Sequence, residues 1–349
     1  MKLCIQAPGT LTTVQDLGRW GHQAIGMPVS GAMDAPALLR GNILLGNPDG
    51  AAALEVTMMG PSIRFEDGEG AVAITGGDLS PQLNGQPIPN WTVVPVKAGD
   101  VLSLGGTRTG CRAYVCVSGG IDVPLVMGSR STYMKAKIGG FGGRKLQKGD
   151  VLNTGTHPGT GVSAAYKAGV SCPETLRPGY GAAPLRTVLG PQDSCIKPEG
   201  IKTFLEAEYR LSASSDRMGC RMEGGTPIEH VRGPDIVSDA IPMGAVQIPG
   251  QGLPIVMMAD RQTTGGYVKI GVVHALDAAR LSQFLPGSPV RFAKITQEEG
   301  IELSKAEAKA LSELRAHVAN APAAPQGRSG AMNITVNGEK FFVTWERIE

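Results

Sequence analysis

The sequence has few charged and few aromatic residues. Charged residues make up 18% of its 349 residues and aromatic residues 5%, and 33 Lys and Arg against 31 Asp and Glu give a net charge of +2. A balance this even provides no basic surface for nucleic acid or for an anionic membrane. We therefore expect no nucleic acid and no membrane among the partners.

Patterns for metal binding and disulfides are missing as well. The six cysteines contain no CxxC pair, and the five histidines show neither HxxxH nor HxH spacing. Zinc sites are usually built from such pairs. The sequence therefore predicts no metal site, and the cysteines are expected to be small buried residues in a reducing compartment.

Long apolar runs and the common catalytic motifs are also absent. No stretch is apolar enough for a signal peptide or a membrane span, from which we expect a cytoplasmic protein. There is no GxxxxGK[ST] and no GxSxG, and the glycine-rich residues 139–144 do not fit the dinucleotide fingerprint. A stand-alone P-loop ATPase or serine hydrolase is therefore not supported.

Glycine and proline, in contrast, are abundant, with 49 and 25 residues. Short apolar alternations such as Val72 to Ile74 and Val93 to Val96 end at turn residues, among them Asn84 and Gly85. A dense succession of short strands favours a β-barrel or sandwich over a parallel α/β sheet. The predicted fold is therefore mainly β.

Three helices are predicted. The first covers residues 35–45 with Asp34 as its N-cap, and the second follows Leu276 with Asp277 as its N-cap. The third covers residues 297–319. Its predicted apolar stripe consists of Ile301, Leu311, Leu314 and Val318.

Five compact polar clusters, each beside glycine, are candidates for a binding site. Arginine beside hydroxyl or carboxylate groups suits the bidentate recognition of carboxylates, amides and ureido groups. The candidates are Gln15, Asp16, Arg19, Ser30, Asp34, Arg130, Thr132, Arg144, Asp216, Arg217, Arg221, Asp260, Gln262, Thr263, Thr264, Gly265, Gly266 and Tyr267.

Each cluster also has a purely structural interpretation. Asp34 could only cap a helix, and Asp16 with Arg19 could be a simple loop ion pair. Residues 139–143 could be a flexible loop tip, and Asp216 with Arg217 could hold two turns together. In the stretch from Asp260 to Tyr267, a turn at Gly265 and Gly266 and a ligand site are predicted to be the same feature.

Several motifs together resemble a known family. "TVQDLGRWG", "GMPVSGAMD", "GGFGGRKLQKGDVL", "SSDRMGCRMEG" and "GAVQIPGQGLPIVMMADRQTTGGYVKIGVV" resemble the biotin-dependent carboxyltransferase family, over roughly residues 1–295. That family is also called allophanate hydrolase subunit 2. It includes the Kip antagonist proteins and the C component of the three-part bacterial 5-oxoprolinase.

The resemblance implies two cyclophilin-like β-barrel domains. The expected division is residues 1–165 for the first barrel region, 166–300 for the second, and 301–349 for a helix, linker and hairpin. The hairpin, predicted around Asn337 and Gly338, looks like the start of a biotinyl carrier domain. It has no Met-Lys-Met motif, so no biotin is expected to be attached covalently to this chain.

The resemblance also implies partners and leaves three functions open. The first is the C component of an ATP-dependent 5-oxoprolinase that opens a lactam substrate. It would act with subunit 1, a Kip-inhibitor-type protein that forms the B component, and with a LamB/YcsF-type protein as the A component. The second is the carboxyltransferase subunit of a urea or amide carboxylase that receives carboxybiotin from a separate carrier. The third is a non-catalytic regulator that binds a Kip-inhibitor-type partner. As part of an enzyme complex, the chain is expected to be inactive alone.

Residue chemistry, placed on the family motifs, suggests roles within the site. Asp260, Gln262 and Arg217 are the predicted catalytic residues. The predicted substrate-binding residues are the other candidates given above, together with Gln247. Arginines would hold a carboxylate, whereas amide and hydroxyl groups would orient an amide or ureido ring.

Overall fold

The computed structural model describes residues 1–155, 166–322, 329–336 and 339–346. Residues 154–182 are rich in Gly and Pro and are predicted to join the two domains, and residues 320–331 are the predicted linker after the third helix. Both segments lie partly outside the described ranges. The predicted turn at Asn337 and Gly338 lies wholly outside the described residues. The predicted domain boundaries stay predictions.

Residues 1–155 form two antiparallel sheets. Their strands are β1 (Lys2–Ala7), β2 (Leu11–Gln15), β3 (Ala53–Thr57), β4 (Ser62–Glu66), β5 (Glu69–Asp78), β6 (Gln82–Leu83), β7 (Gln86–Pro87), β8 (Val93–Lys97), β9 (Val101–Ser103), β10 (Thr109–Val117), β11 (Ile121–Asp122) and β12 (Val151–Thr154). The first sheet has seven strands in the order β11-β12-β1-β4-β9-β6-β7, and the second has five in the order β2-β3-β10-β5-β8. Asn84 and Gly85 join β6 to β7 with positive φ at both positions, so the predicted hairpin turn is confirmed.

The two sheets enclose one apolar core. On β3, Leu54 and Val56 belong to this core together with Phe65 of β4. Because successive strand residues point to opposite faces, Glu55 faces away from this core. On β10, Tyr114 points to that same outer side, where helix α1 (Ala35–Leu44) packs. A buried carboxylate and a buried phenol are thus placed outside the first core.

Residues 185–294 form a second strand-rich region. Its strands are β13 (Leu185–Leu189), β14 (Tyr209–Leu211), β15 (Gly219–Glu223), β16 (Asp235–Ala240), β17 (Ala245–Gln247), β18 (Ile255–Met257), β19 (Thr264–Tyr267), β20 (Lys269–Val273), β21 (Pro289–Val290) and β22 (Phe292–Lys294). Eight of them form one sheet, in the order β21-β14-β15-β18-β17-β20-β13-β22, and β16 pairs with β19. The core of this region also contains Met33 from the first half of the chain, so the two halves are joined by packing.

The remaining helices are distributed over both halves of the chain. They are α2 (Pro198–Glu206), α3 (Ala275–Leu281) and α4 (Gln297–Asn320), with short 3-10 helices at Gln23–Ile25, Met134–Ala136, Glu174–Leu176 and Asp193–Cys195. The prediction of a mainly β fold with a few short helices and a C-terminal helix is confirmed. Helix α2 was not predicted, because no side chain caps its N-terminus, although Pro198 stands at a position where proline favours a helix start.

Helix α1 begins where the sequence predicts, since Asp34 Oδ1 accepts a hydrogen bond of 3.1 Å from the backbone N–H of Ala37. The predicted cap of α3 is wrong. His274 is the N-cap, and its Nδ1 accepts from the N–H of Leu276 at 3.3 Å. Asp277 lies inside the helix, where its carboxylate accepts hydrogen bonds from the guanidinium of Arg186.

The predicted turn at Gly265 and Gly266 is also wrong. Both residues lie in β19, and the turn comes earlier, at Ala259 and Asp260. A Cβ on Gly265 would lie 2.6 Å from Ile241 Cδ1 and 3.0 Å from Gln247 Nε2. Glycine is therefore needed at position 265 for close packing inside a strand, not for a left-handed conformation.

Helix α4 packs on α1 along part of its length. Leu314 is fully buried against α1, and Leu311 and Val318 are partly buried beside it. Ile301, also in the predicted apolar stripe, is 47% exposed and does not share this burial. It lies near the N-terminal end of α4, beside a surface groove that His274 also lines.

The tail forms the predicted antiparallel pair of strands, β23 (Ser329–Val336) and β24 (Glu339–Glu346). Among the helices of the described ranges, none has the length and apolar character required to cross a membrane.

Candidate functional site

A buried ion network joins the two halves of the chain. Arg217, in the loop before β15, donates from Nε to Asp260 Oδ2 and from Nη2 to Asp260 Oδ1, each at 3.0 Å. Its Nη1 donates to Glu55 Oε1 on β3, and Nη2 also donates to the carbonyl of Gly31 at 2.6 Å. The guanidinium is thus engaged on several sides by groups from both halves.

The charges of this network stabilise each other. Burial by itself would lower the pKa of Arg217, but Asp260 and Glu55 raise it above its ordinary value. Burial would likewise raise the pKa of Glu55, yet Arg217 keeps that pKa below its ordinary value. Arg217 and Glu55 therefore form a charged pair in the interior.

A second chain of hydrogen bonds continues from Glu55. Its Oε2 accepts from the hydroxyl of Tyr114 at 2.8 Å, and that hydroxyl accepts from the backbone N–H of Asp34 at 2.7 Å. Asp34 Oδ2 accepts from the hydroxyl of Tyr180 at 2.7 Å and from Gln283 Nε2 at 2.8 Å. Burial raises the pKa of Asp34. Asp34 is therefore both a helix cap and part of the network between the halves.

Asp16 organises the loop that follows β11. Its Oδ1 accepts from the Ser129 hydroxyl at 2.7 Å and from the Ser131 hydroxyl, and its Oδ2 accepts from the N–H of Arg130 at 2.6 Å. The alternative of a simple ion pair between Asp16 and Arg19 is not found within the described residues. Asp16 instead holds the loop by hydrogen bonds.

The side chain of Arg19 is fully buried, and its single hydrogen bond to described residues runs from Nη2 to the carbonyl of Ser131. In the described part of the chain, its Nε and Nη1 have no partner, and the same holds for Gln15 Oε1 and Ser30 Oγ. Burial lowers the pKa of Arg19, and the nearby carboxylates of Asp16 and Asp260 oppose that shift. Thr132 donates to the carbonyl of Val14 at 2.9 Å and so ties this cluster to β2.

The polar residues that follow Asp260 point in different directions. Arg261 turns inward, donating from Nε to the carbonyl of Ile241 at 2.9 Å, and burial lowers its pKa to about 10. The carbonyl of Thr263 accepts from the N–H of Ile241 at 3.0 Å. Thr264 is exposed at the start of β19, and Gln262 points into a cleft.

This cleft, which we call the glutamine cleft, has a volume of about 530 Å³. It lies over β15, β17 and β18, and its walls include Met218, Arg221, Gln247, Gln251, Met257, Gln262 and Tyr267. Gln262 also lines a neighbouring cleft of about 360 Å³ together with Trp20 and Val29 of the first half. Volumes of this size are typical of small-molecule sites.

Metal ligands are not clustered in the described chain. Residues 1–155, 166–322 and the described tail contain no group of three or more His, Cys, Asp or Glu side chains arranged to hold a metal ion. Hydrogen-bond donors and acceptors are what the clefts offer to a ligand.

A family model for the carboxyltransferase domain, subdomains A and B, matches residues 25–294. The chain belongs to the carboxyltransferase-domain family. The suspected resemblance is thus confirmed, and the matched residues contain the ion network and the glutamine cleft. Gln15, Asp16 and Arg19 lie before them.

Two similar members are named as the C component of 5-oxoprolinase, one from Haemophilus influenzae and one from Escherichia coli. Each is 34% identical to this chain, over 309 and 306 residues, and the alignments cover 94% and 95% of those proteins. The urea amidolyase of Saccharomyces cerevisiae is also 34% identical, over 329 residues, but the alignment covers only 17% of that much longer protein.

Two solved structures are similar to this chain in fold. The urea carboxylase of Kluyveromyces lactis superposes with a TM-score of 0.83 at 28% identity and covers 99% of this chain and 32% of its own. The K. lactis urea amidolyase gives the same TM-score at 30% identity, covering 90% of this chain and 20% of its own.

Several predicted site residues lie apart from the glutamine cleft. Arg144 forms a bidentate pair with Asp150 at 2.7 and 2.9 Å, and Asp216 is exposed, where its carboxylate accepts from two backbone N–H groups of its own turn. The side chain of Arg130 reaches the carbonyl of Val123 at 2.9 Å. Each of these three side chains is bound to nearby structure.

Sequence reasoning missed four members of the network, namely the buried residues Glu55, Tyr114 and Gln283 and the partly buried Tyr180. Only Glu55 gave a clear signal, because a single carboxylate interrupts the apolar run of β3. A charge in a buried strand must be paired. Its partner, Arg217, is 162 positions away, so the sequence offers no means of choosing it.

Proposed function

We propose that this chain is the C component of a multi-subunit, ATP-dependent 5-oxoprolinase. The observation that carries the proposal is the near-complete coverage of two curated relatives with that name, at 94% and 95% of their lengths. The relation therefore extends over whole subunits, whereas the urea amidolyase match involves 17% of a large protein.

The reaction opens a lactam ring. Water adds to the carbonyl carbon of 5-oxoproline, the C–N bond of the ring breaks, and the nitrogen leaves as the amine of glutamate. ATP hydrolysis to ADP and phosphate supplies the driving free energy. Because the chain has no P-loop motif, we assign nucleotide binding to one of its partners.

Partners follow from this assignment. We propose that the chain acts in the cytoplasm with a Kip-inhibitor-type protein as the B component and a LamB/YcsF-type protein as the A component, and that it is inactive alone. Within it, Arg217 and Asp260 bind each other, which supports a positioning role for both. Gln262, two residues after Asp260, is then the residue of this group that contacts the substrate.

Reconstitution tests the proposal. The three proteins are co-expressed and purified as a complex, and glutamate and ADP are measured after 5-oxoproline and ATP are added. We expect both products in equal amounts, and no glutamate from a complex that lacks this chain. A correctly assembled complex without glutamate release would contradict the proposal.

One observation favours a second function, that of a biotin-dependent carboxyltransferase subunit. The superposition with K. lactis urea carboxylase covers 99% of this chain, so it extends past α4 into the tail. In this function, carboxybiotin on a separate carrier donates its carboxyl group to an amide or urea nitrogen. Avidin-sensitive fixation of labelled bicarbonate by a complex with a carrier and a biotin carboxylase would support it, and insensitivity to avidin would exclude it.

A further inference from the structure

We propose that the glutamine cleft binds a cyclic cis-amide that carries a carboxylate, as 5-oxoproline does. Gln247 and Gln262 recognise the ring amide, and Arg221 binds the carboxylate. This inference rests on the proposed function and deepens it, since it names the groups that select the substrate.

Among the described residues, the glutamine cleft contains an unpaired donor and an unpaired acceptor. Gln247 is 3% exposed, and its Nε2 has no hydrogen-bond partner in the described chain; the same is true of Gln262 Oε1. Buried polar atoms without partners are rare in folded proteins. A ring amide, held cis, presents its C=O and N–H along one edge, which complements a donor and an acceptor.

Gly265 lies close to the amides of both Gln247 and Gln262. A Cβ on Gly265 would lie 3.0 Å from Gln247 Nε2 and 3.4 Å from Gln262 Nε2. The two side-chain amides therefore both lie close to the position that a Cβ on residue 265 would take. Only glycine leaves this space unfilled. An amide pair kept together in this way fits the recognition of a single small group.

The other walls of the cleft include a cation and apolar side chains. Arg221 is exposed, and its guanidinium forms no ion pair or hydrogen bond to other described residues. Arginine matches a carboxylate in a bidentate geometry. Met218 and Met257 add apolar surface for ring methylene groups. Urea has neither a carboxylate nor a methylene group, so these walls favour the lactam acid.

Binding is tested on the assembled complex without ATP, where no turnover occurs, by titration calorimetry. The ligands are 5-oxoproline, L-proline, which lacks the ring carbonyl, and 2-pyrrolidinone, which lacks the carboxylate. We expect 5-oxoproline to bind at least about tenfold more tightly than either analogue, the difference that one or two hydrogen bonds produce.

The variants are Gln247→Met and Gln262→Met, which keep the side-chain length and remove the amide. No internal hydrogen bond of the unpaired atoms is lost, so we expect both variants to fold. Each variant should bind 5-oxoproline about tenfold more weakly than wild type. Each should also bind 2-imidazolidinone, a ring with a ureido group, more weakly by the same factor. Arg221→Met should weaken the binding of 5-oxoproline but not the binding of 2-pyrrolidinone. Gln86→Met, on the exposed strand β7 and outside the cleft lining, is the matched control and should bind as wild type.

The outcomes separate the two proposals. If the complex releases glutamate and both glutamine variants bind 5-oxoproline as tightly as wild type, the proposed role of the cleft is contradicted. The proposed function is then still supported. Amide-dependent binding of 5-oxoproline in a complex that releases no glutamate would support the cleft and contradict the proposed function. If the wild-type complex does not bind 5-oxoproline at all, the proposed role of the cleft is contradicted.

Discussion

Arg217 and Asp260 share two parallel hydrogen bonds of 3.0 Å, with Glu55 against the remaining side of the guanidinium. All three side chains are buried, and they come from three distant parts of the chain. Removing one member leaves a buried charge without its partner, which costs far more than the pair contributes by itself.

Arg217→Met is therefore expected to lower the free energy of unfolding by about 3–5 kcal/mol. Urea denaturation followed by circular dichroism measures it. Arg144→Met breaks the partly exposed pair with Asp150 and is the control, with an expected cost below about 1 kcal/mol. Equal costs for the two variants would contradict the central role of the buried network.

Two adjacent glycines provide a sharp comparison. Gly265→Ala places a methyl group 2.6 Å from Ile241 Cδ1 and 3.0 Å from Gln247 Nε2, both at the ends of movable side chains. We expect a small loss of stability, about 1 kcal/mol, but at least about a tenfold loss of 5-oxoproline turnover by the complex, because the amide must move.

Gly266→Ala is the matched control for this change. Its Cβ would meet only the carbonyl of Ile236 at 3.3 Å and Ser238 Oγ at 3.8 Å. Activity close to wild type is expected from the same glutamate assay. If the two alanines reduced turnover equally, the special position of Gly265 between the amides would be disproved.

The attachment of α4 depends on one buried leucine. Leu314→Ala removes a fully buried side chain from the contact with α1 and should lower the free energy of unfolding by about 2–5 kcal/mol. Ile301→Ala, on the same helix but 47% exposed, should change it by less than about 1 kcal/mol. Thermal and urea unfolding measure both effects. A large loss of stability for Ile301→Ala alone would contradict the conclusion that Leu314 attaches α4 to α1.

The contribution of Asp277 to folding stability should decrease at acidic pH. Burial would raise the pKa of Asp277, but hydrogen bonds from Arg186 bring it below the ordinary value of 3.8. A carboxylate with a lowered folded-state pKa stabilises the fold above its unfolded pKa, and this contribution is lost as the pH falls through the folded-state value.

Asp277→Asn should therefore destabilise the protein by about 1.5–3 kcal/mol at pH 7, the usual contribution of hydrogen bonds to a charged group. The difference from wild type should shrink as the pH falls below 3.8, the ordinary Asp value. Urea unfolding across this range measures it. A difference independent of pH would show that the charge of Asp277 plays no part.

The sequence predicts those features of the fold that depend on local pattern. Alternating apolar residues mark the strands, and Asn84 with Gly85 identifies a hairpin, because both positions demand positive φ. Asp34 marks the start of α1. Local pattern fails at Gly265, since a glycine required for packing looks the same in sequence as one required for a turn.

The candidate site is predictable in composition but not in arrangement. The glycine-flanked clusters contain Arg217, Asp260 and Gln262, yet only the folded chain shows that the first two bind each other and that Gln262 enters a cleft. Partners such as Gln283, which reaches Asp34 across 249 positions, depend on the packing of the halves. No local pattern contains that information.

The bond from Arg217 to Glu55 also has a consequence for protein engineering. A chimera that takes residues 1–155 from one relative and the remainder from another would combine a carboxylate and a guanidinium that were selected in different chains. Such a hybrid is expected to keep its full stability only if both parents carry matching charges at positions 55, 217 and 260. For this architecture, the exchangeable unit is the whole two-part body, and recombination points are better chosen after residue 294.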